Sequence, residues 1–256
     1  MTAFRQALKH IGVPALTLLT STSSAFSIVS IASLSSVSQM SHHFMTVTTT
    51  PEVDRTIRVL AIHGSGSNQS EFVEKLAPIK TFLQVQKAQV EWIAIDGPIP
   101  NGDGYSWWTY GSGERSSTAK EYAGFEDSST MILEAIKQWN PELVVAHSQG
   151  AILLTAMIAL QQIPAHPTLG YLLNGVAWPN PYSKELEQLS LDPATPRIML
   201  VMGQQDTINP IDGQERVMKC LEKAGADITV CKHAAGHSVP ATDHTFLKTL
   251  NNWIHV

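Results

Sequence analysis

Three short segments, far apart in the chain, carry residue types that together could make and break an acyl bond: His147-Ser148-Gln149-Gly150, Gly203-Gln204-Gln205-Asp206 and Gly236-His237-Ser238. A serine hydroxyl is a poor nucleophile at neutral pH and needs a base to take its proton. Histidine can be that base, while a carboxylate on its other ring nitrogen fixes the tautomer and stabilises the imidazolium that forms. Ser148 is therefore expected as nucleophile, His237 as base and Asp206 as orienting acid, in the chain order serine, acid, histidine. The tetrahedral oxygen of such a reaction needs backbone N–H donors. One is expected from Gln149, just after the nucleophile at a helix N-terminus, and the other from Ser65, in the loop after His63-Gly64.

Each role has a competitor. Ser112 also stands among glycines, in Gly111-Ser112-Gly113, without a strand or helix beside it. His233 rivals His237, but it follows a strand too closely and lacks the Gly-His turn. Asp212 is the second candidate acid, deeper in the loop. His63 reads as a residue that pins its own loop by hydrogen bonding. His233 and His237 are four apart, as helical metal ligands would be, yet Ala234-Ala235-Gly236 between them favours a loop. With no CxxC or HExxH in the chain, neither metal nor cofactor is expected.

Such groups must be held by a scaffold, and the chain from residue 57 supplies one. Arg58 to Ile62, Val90 to Ile95, Leu143 to Ala146, Leu169 to Val176, Ile198 to Met202 and Ile228 to Cys231 are short apolar runs that read as buried strands. Helical spacing appears from about Ser70 to Leu83, through Met131 to Trp139, from Gly150 to Leu160, around Val217 to Lys223 and from Thr242 to Ile254. A long loop rich in glycine and aromatics runs from Asp96 to about Lys120. Strands alternating with helices imply an α/β fold, with a mostly parallel central sheet and helices on both faces. Ligands in such sheets bind at the carboxyl ends of the strands, where Ser148, Asp206 and His237 all fall.

The serine context is the most informative. Leu143-Val144-Val145-Ala146 runs straight into His147-Ser148-Gln149-Gly150 and then Ala151-Ile152-Leu153-Leu154. Strand, one sharp turn carrying serine, then helix is the arrangement of a nucleophile elbow, and its crowding requires small neighbours. Gly150 and Ala146 are small, although the usual G-x-S-x-G pattern has glycine where Ala146 stands.

Taken together, these segments resemble the family serine hydrolases, the FSH-type branch of the α/β-hydrolases, over nearly all of the chain after residue 57. The resemblance is carried by Leu60-Ala61-Ile62-His63-Gly64 with Asn68 and Phe72, by Asp96-Gly97-Pro98, and by Trp107-Trp108. Tyr122, Gly124 and Ser128 continue it, as do His147-Ser148-Gln149-Gly150-Ala151, Gly203 to Asp206, and His233-Ala234-Ala235-Gly236-His237-Ser238-Val239-Pro240. It implies the α/β-hydrolase fold and cofactor-free hydrolysis of a small-molecule carboxylic ester or thioester through an acyl-enzyme. Gly64-Ser65-Gly66 departs from the family, which often has a bulkier residue after His-Gly. The substrate pocket is expected in the loop between Asp96 and Glu121, with Trp178 and Val239 nearby. Trp107 and Trp108 could line it or could pack the loop onto the sheet.

Composition narrows the alternatives. The 256 residues are 43% hydrophobic and 15% charged with a net charge of −5, an ordinary globular balance. Without a basic stretch after residue 60, a nucleic-acid surface is not expected. Cys220 and Cys231 read as buried thiols, a disulfide between them being the other possibility. A dinucleotide site is the rival suggested by Gly64-Ser65-Gly66 and Asp96, but Gln69 stands where the third glycine belongs. A catalytically silent receptor or binding domain of the same fold is the other alternative.

Residues 1–50 are a different material. They hold no Asp or Glu, the first acid being Glu52. Arg5 and Lys9 precede a short apolar run, Ile11 to Leu19, followed by Ser23-Ser24-Ala25-Phe26 and a serine-rich stretch from Ser33 to Ser41. This matches a secretory signal followed by a transit peptide, and resembles the two-part leaders of algae with secondary plastids. Plastid delivery is the expectation, with mitochondrial, secreted or cytoplasmic destinations as alternatives. The apolar run is too short for a stable membrane span, which needs about 20 residues. The hydrolase domain is expected from 55 to 256.

Overall fold

A computed structural model describes residues 55–163, 169–191 and 197–254; the expected leader lies outside them. Aliphatic strands buried on both sides need a covering layer on each face, and that requirement organises the molecule. Six strands form one sheet in the order β2-β1-β5-β6-β7-β8, every pair parallel. They are β1 (Arg55–Ile62), β2 (Ala88–Ile95), β5 (Leu143–His147), β6 (Gly170–Asn174), β7 (Arg197–Gly203) and β8 (Asp227–His233). Successive residues point to opposite faces: Leu60 and Ile62 join one core, while Ile57, Val59 and Ala61 join the other.

The second core is closed by α1 (Gln69–Lys75), α2 (Ala77–Val85) and α7 (His244–Ile254), through Phe72, Ile79, Leu83, Phe246 and Leu250. The first is closed by α3 (Phe125–Trp139), α4 (Gln149–Ala159), the short α5 (Ser183–Glu187) and α6 (Ile211–Lys223). All residues of α4 are buried. The chain leaves β1 for β2 on one side, then returns to pair β5 on the other. That reversal puts the crevice at the carboxyl ends of β1 and β5.

Several elements differ from the expectation, among them α3, which begins at Phe125, six residues before Met131, and α5, which is not among the expected helices. The single helix from Ser70 to Leu83 is two helices broken at Leu76, because Pro78 suits a first turn and not an interior. The long loop contains a hairpin, β3 (Ile99–Asn101) with β4 (Gly104–Ser106), turning through Gly102-Asp103. Helix α6 begins at Ile211, six residues before the expected start, behind Pro210. Cys220 and Cys231 are both free thiols. Among the described residues no helix is long and apolar enough to cross a membrane.

Candidate active site

The turn between β5 and α4 forces Ser148 to φ 51° and ψ −117°, a backbone region that a residue with a Cβ rarely enters. Its N–H is held by the carbonyl of Asn174 at 2.9 Å. Crowding sets the neighbours. A Cβ on Gly150 would stand 2.7 Å from the His63 carbonyl oxygen and 2.8 Å from that of Ile62, so only glycine lets α4 approach the end of β1. Ala146 is fully buried and keeps its strand register with Ile62 and Leu173, so its methyl group fits where the usual pattern has glycine.

The segments after β7 and β8 continue side by side beyond the sheet. Gln204 N–H donates to the His233 carbonyl at 2.9 Å and Gln205 N–H to that of Ala235 at 3.2 Å. This pairing carries Asp206 and His237 to the same place. His237 Nδ1 lies 2.7 Å from Asp206 Oδ2, and His237 Nε2 lies 2.8 Å from Ser148 Oγ. The Asp206 carboxylate is fully buried and accepts from Ile208 N–H at 2.9 Å, Asn209 N–H at 2.8 Å and Gln214 Nε2 at 3.3 Å. With its oxygens surrounded by donors, it accepts from His237 Nδ1–H, leaving Nε2 as the acceptor of the Ser148 hydroxyl proton.

The competing residues lie elsewhere. His233 is the buried last residue of β8, and neither ring nitrogen has a partner among the described residues. Asp212 is in the first turn of α6. His63 is fully buried; its Nδ1 lies 2.7 Å from the Gly64 carbonyl, to which it donates, and its Nε2 accepts from Gly97 N–H at 3.0 Å. Burial lowers its pKa, against the pull of the Gly64 hydrogen bond and Asp96, so the neutral ring pins two loops together. Asp96 does not face a ribose site: its Oδ1 accepts Gln69 N–H at 2.6 Å at the start of α1.

Ser65 follows Gly64 on an exposed turn beside the site. Its Oγ lies 2.8 Å from Ser106 Oγ and accepts from Asn101 Nδ2 at 3.1 Å. Gly66 N–H donates to Tyr105 O at 2.8 Å, so the β3–β4 hairpin braces this turn. Gln149 begins α4, its amide at the helix N-terminus, and its side chain does something no spacing argument suggests. Oε1 accepts Trp107 N–H at 2.8 Å and Nε2 donates to Trp108 O at 2.9 Å.

The aromatic residues expected at the substrate pocket are mostly interior. Trp107 and Trp108 are 0% and 1% exposed. Trp107 Nε1–H donates to His63 O at 2.8 Å, and Trp108 stacks on Tyr122 with centroids 4.4 Å apart. Of the two readings of this pair, their placement matches packing of the loop; in this conformation neither presents a face to a ligand. Trp178 is also buried, beneath the guanidinium of Arg216 at 3.5 Å. Val239 is half-buried against the Phe72 side of the core, two residues past His237.

Residues that the spacing did not single out gather here. Asn174 ends β6 and Gly175 follows it, His147 precedes Ser148, and Asn209 and Gln214 surround Asp206. The available signal was positional: Asn174-Gly175 closes the apolar run Tyr171-Leu172-Leu173 at a strand's carboxyl end.

A family model described as serine hydrolase (FSH1) matches residues 53–248. An esterase of Danio rerio, OVCA2, is 27% identical over 213 residues, covering 72% of this chain and 91% of its own. Esterase GA18864 of Drosophila pseudoobscura pseudoobscura is 24% identical over 210 residues, covering 75% and 68%. Among solved structures, esterase PE8 superposes with a TM-score of 0.58 at 20% identity, covering 78% of this chain and 91% of its own. A carboxylesterase of Bacillus cereus does so at 0.57 and 17%, covering 80% and 90%. These two likenesses establish a common fold.

Proposed function

Since this chain belongs to the serine hydrolase (FSH1) family, we propose that it hydrolyses a carboxylic ester or thioester through an acyl-enzyme, with Ser148, His237 and Asp206 as its triad. The observation that carries the reading is the continuous hydrogen-bonded line from Ser148 Oγ through both nitrogens of His237 to Asp206, at 2.8 and 2.7 Å. Relatives named esterase or carboxylesterase agree with it.

His237 Nε2 takes the Ser148 proton as Oγ attacks the substrate carbonyl. Asp206, already accepting at Nδ1, stabilises the imidazolium. The backbone amides of Gln149 and Ser65 receive the tetrahedral oxygen, where preorganised donors are worth about 10²- to 10³-fold each. His237 then returns its proton to the leaving alcohol or thiol, and the acyl group stays on Ser148. Water enters and His237 takes its proton as the oxygen attacks the acyl carbonyl; the bond to Ser148 Oγ then breaks, His237 returns the proton to Oγ, and the acid leaves. The substrate carbonyl lies over the crevice between β1 and β5, with Val239 at its rim; Trp107, Trp108 and Trp178 are buried in the core on the other face of the sheet from Val239.

A fluorophosphonate probe tests the chemistry: wild type is labelled at Ser148, and Ser148→Ala is not. Matched p-nitrophenyl esters and acyl thioesters of increasing chain length then define the leaving group and the acyl group. A wild-type chain that is folded yet neither labels nor turns over any of them overturns the assignment.

A further inference from the structure

We propose that Asn174, the last residue of β6, is a positioning residue that fixes nucleophile and base to each other from one buried point; the inference rests on the roles proposed for Ser148 and His237. Asn174 is 1% exposed. Its backbone carbonyl accepts the Ser148 N–H at 2.9 Å. Its side-chain Nδ2 lies 2.9 Å from His147 Nδ1, and reaches the carbonyl of His237 at 3.5 Å, a weaker bond. One residue thus touches the backbone of the serine, the side chain before it and the backbone of the base, which lie on two separate loops.

The direction of these bonds follows from what an amide can do. Turned the other way, Asn174 would set its own carbonyl oxygen against that of His237. With the amino group there, both contacts are donations, so His147 Nδ1 must be the unprotonated nitrogen and the ring is neutral, with hydrogen on Nε2. That neutrality matters because the His147 ring centroid lies only 4.8 Å from that of His237. A second cation there would oppose the imidazolium that His237 becomes when it takes the serine proton. Burial, aided by His237 and Lys75 and against the upward pull of the Asn174 contact, pushes the His147 pKa down to about 3, and Phe72 stacks behind the ring at 6.0 Å. Asn174 therefore acts on geometry through His237 and on the tautomer of His147, whose neutrality burial maintains.

The test uses the full chain with Asn174→Ala and Asn174→Asp, which retain the backbone bond to Ser148. Asn174→Ala is expected to lower kcat and the fluorophosphonate labelling rate roughly 10- to 100-fold, the scale of a small misplacement of reacting groups. KM is expected to stay within about threefold, because substrate contacts are untouched. Asn174→Asp offers only acceptors and is expected to draw a proton onto His147 Nδ1, visible in the ¹⁵N shift of that nitrogen at neutral pH. Wild type is expected to show His147 Nδ1 unprotonated, a measurement that needs no variant to fold. Folded variants whose kcat and labelling rate stay within about twofold of wild type, or a wild-type spectrum with Nδ1 protonated, overturn the proposal. A wild-type protein inert to the probe overturns the roles of Ser148 and His237 first and this inference with them; a reactive wild type with equally reactive variants overturns this inference alone.

Discussion

Gly175 lies so close to His237 that a Cβ built on it would stand 3.0 Å from both Cε1 and Nδ1 of the imidazole. The same glycine sits at φ 61°, in the left-handed region, and its carbonyl accepts Asn209 Nδ2 at 2.6 Å. The chain leaving β6 thus forms a wall against which the His237 ring rests. Gly175→Ala meets two obstacles, a backbone penalty of about 1–2 kcal/mol and a methyl group pushing the ring from its line. The expected outcome is a modest fall in Tm with a loss in kcat on the order of 100-fold. Steady-state kinetics beside a thermal melt checks it; unchanged kcat in Gly175→Ala would show that the ring has room to move.

Asp206→Asn is expected to lower kcat by about 10⁴-fold with little change in fold. The reason is in its partners. One carboxylate oxygen accepts from two backbone amides, Ile208 and Asn209, and the other from His237 Nδ1 and Gln214 Nε2. An asparagine that keeps its oxygen on the backbone pair must aim its amino group at His237 Nδ1. That reverses the tautomer and places hydrogen on Nε2, where the serine proton has to go. A variant within tenfold of wild type, by kcat at the pH optimum, would remove Asp206 from the reaction.

Gln149, whose backbone amide is proposed as an oxyanion donor, also ties two backbone groups through its side chain. Its buried amide spans Trp107 N–H and Trp108 C=O across some forty residues of sequence. Removing it in Gln149→Ala leaves both backbone groups without their partner, at about 1–3 kcal/mol each. The expected result is a fall in the urea midpoint of unfolding together with a smaller fall in kcat, since the Trp107 indole also ties to the His63 carbonyl beside Gly64. Gln149→Glu keeps the acceptor for Trp107 and loses the donor for Trp108, so its midpoint is expected between those of alanine and wild type.

What could be read without coordinates and what could not divides by the range of the interaction. Ser148, Asp206 and His237 sit at strand ends marked by local glycine and proline signals, and one topological rule brings strand ends together. The alternation of apolar runs sufficed for the parallel sheet. Asn174, Gln214 and the side-chain role of Gln149 escaped notice because their partners are backbone atoms and side chains of other loops; nothing near Gln149 in sequence points to Trp107. The break at Leu76 was legible in Pro78, and the hairpin turn in Asn101-Gly102-Asp103-Gly104, but each was absorbed into a longer element. The start of helix α6 holds Asp212-Gly213-Gln214-Glu215 behind Ile211, polar enough to hide its first six residues. The tryptophans could not be assigned, since an indole is as useful in a pocket wall as in a core and only its burial decides.

Acid is expected to unfold the protein through its interior histidines, and the sign follows from the direction of their shifts. His147, His63 and His233 all have pKa values lowered from 6.5, burial being the largest cause in each. For His147 the value falls to about 3; for His233, Asp243 and Asp206 pull the other way without reversing the shift. Below pH 6.5 the unfolded chain binds protons at these positions and the folded chain does not, so stability is complete above that pH and is lost as pH falls. Each such histidine removes up to about 1.4 kcal/mol per pH unit within its window, and the His147 window extends to about pH 3. Urea midpoints measured between pH 7.5 and 4.5 are expected to fall steadily. Replacing His147 with glutamine, which can still accept from Asn174 and cannot be protonated, is expected to flatten that slope; equal slopes in the two proteins would mean that His147 takes up its proton without unfolding.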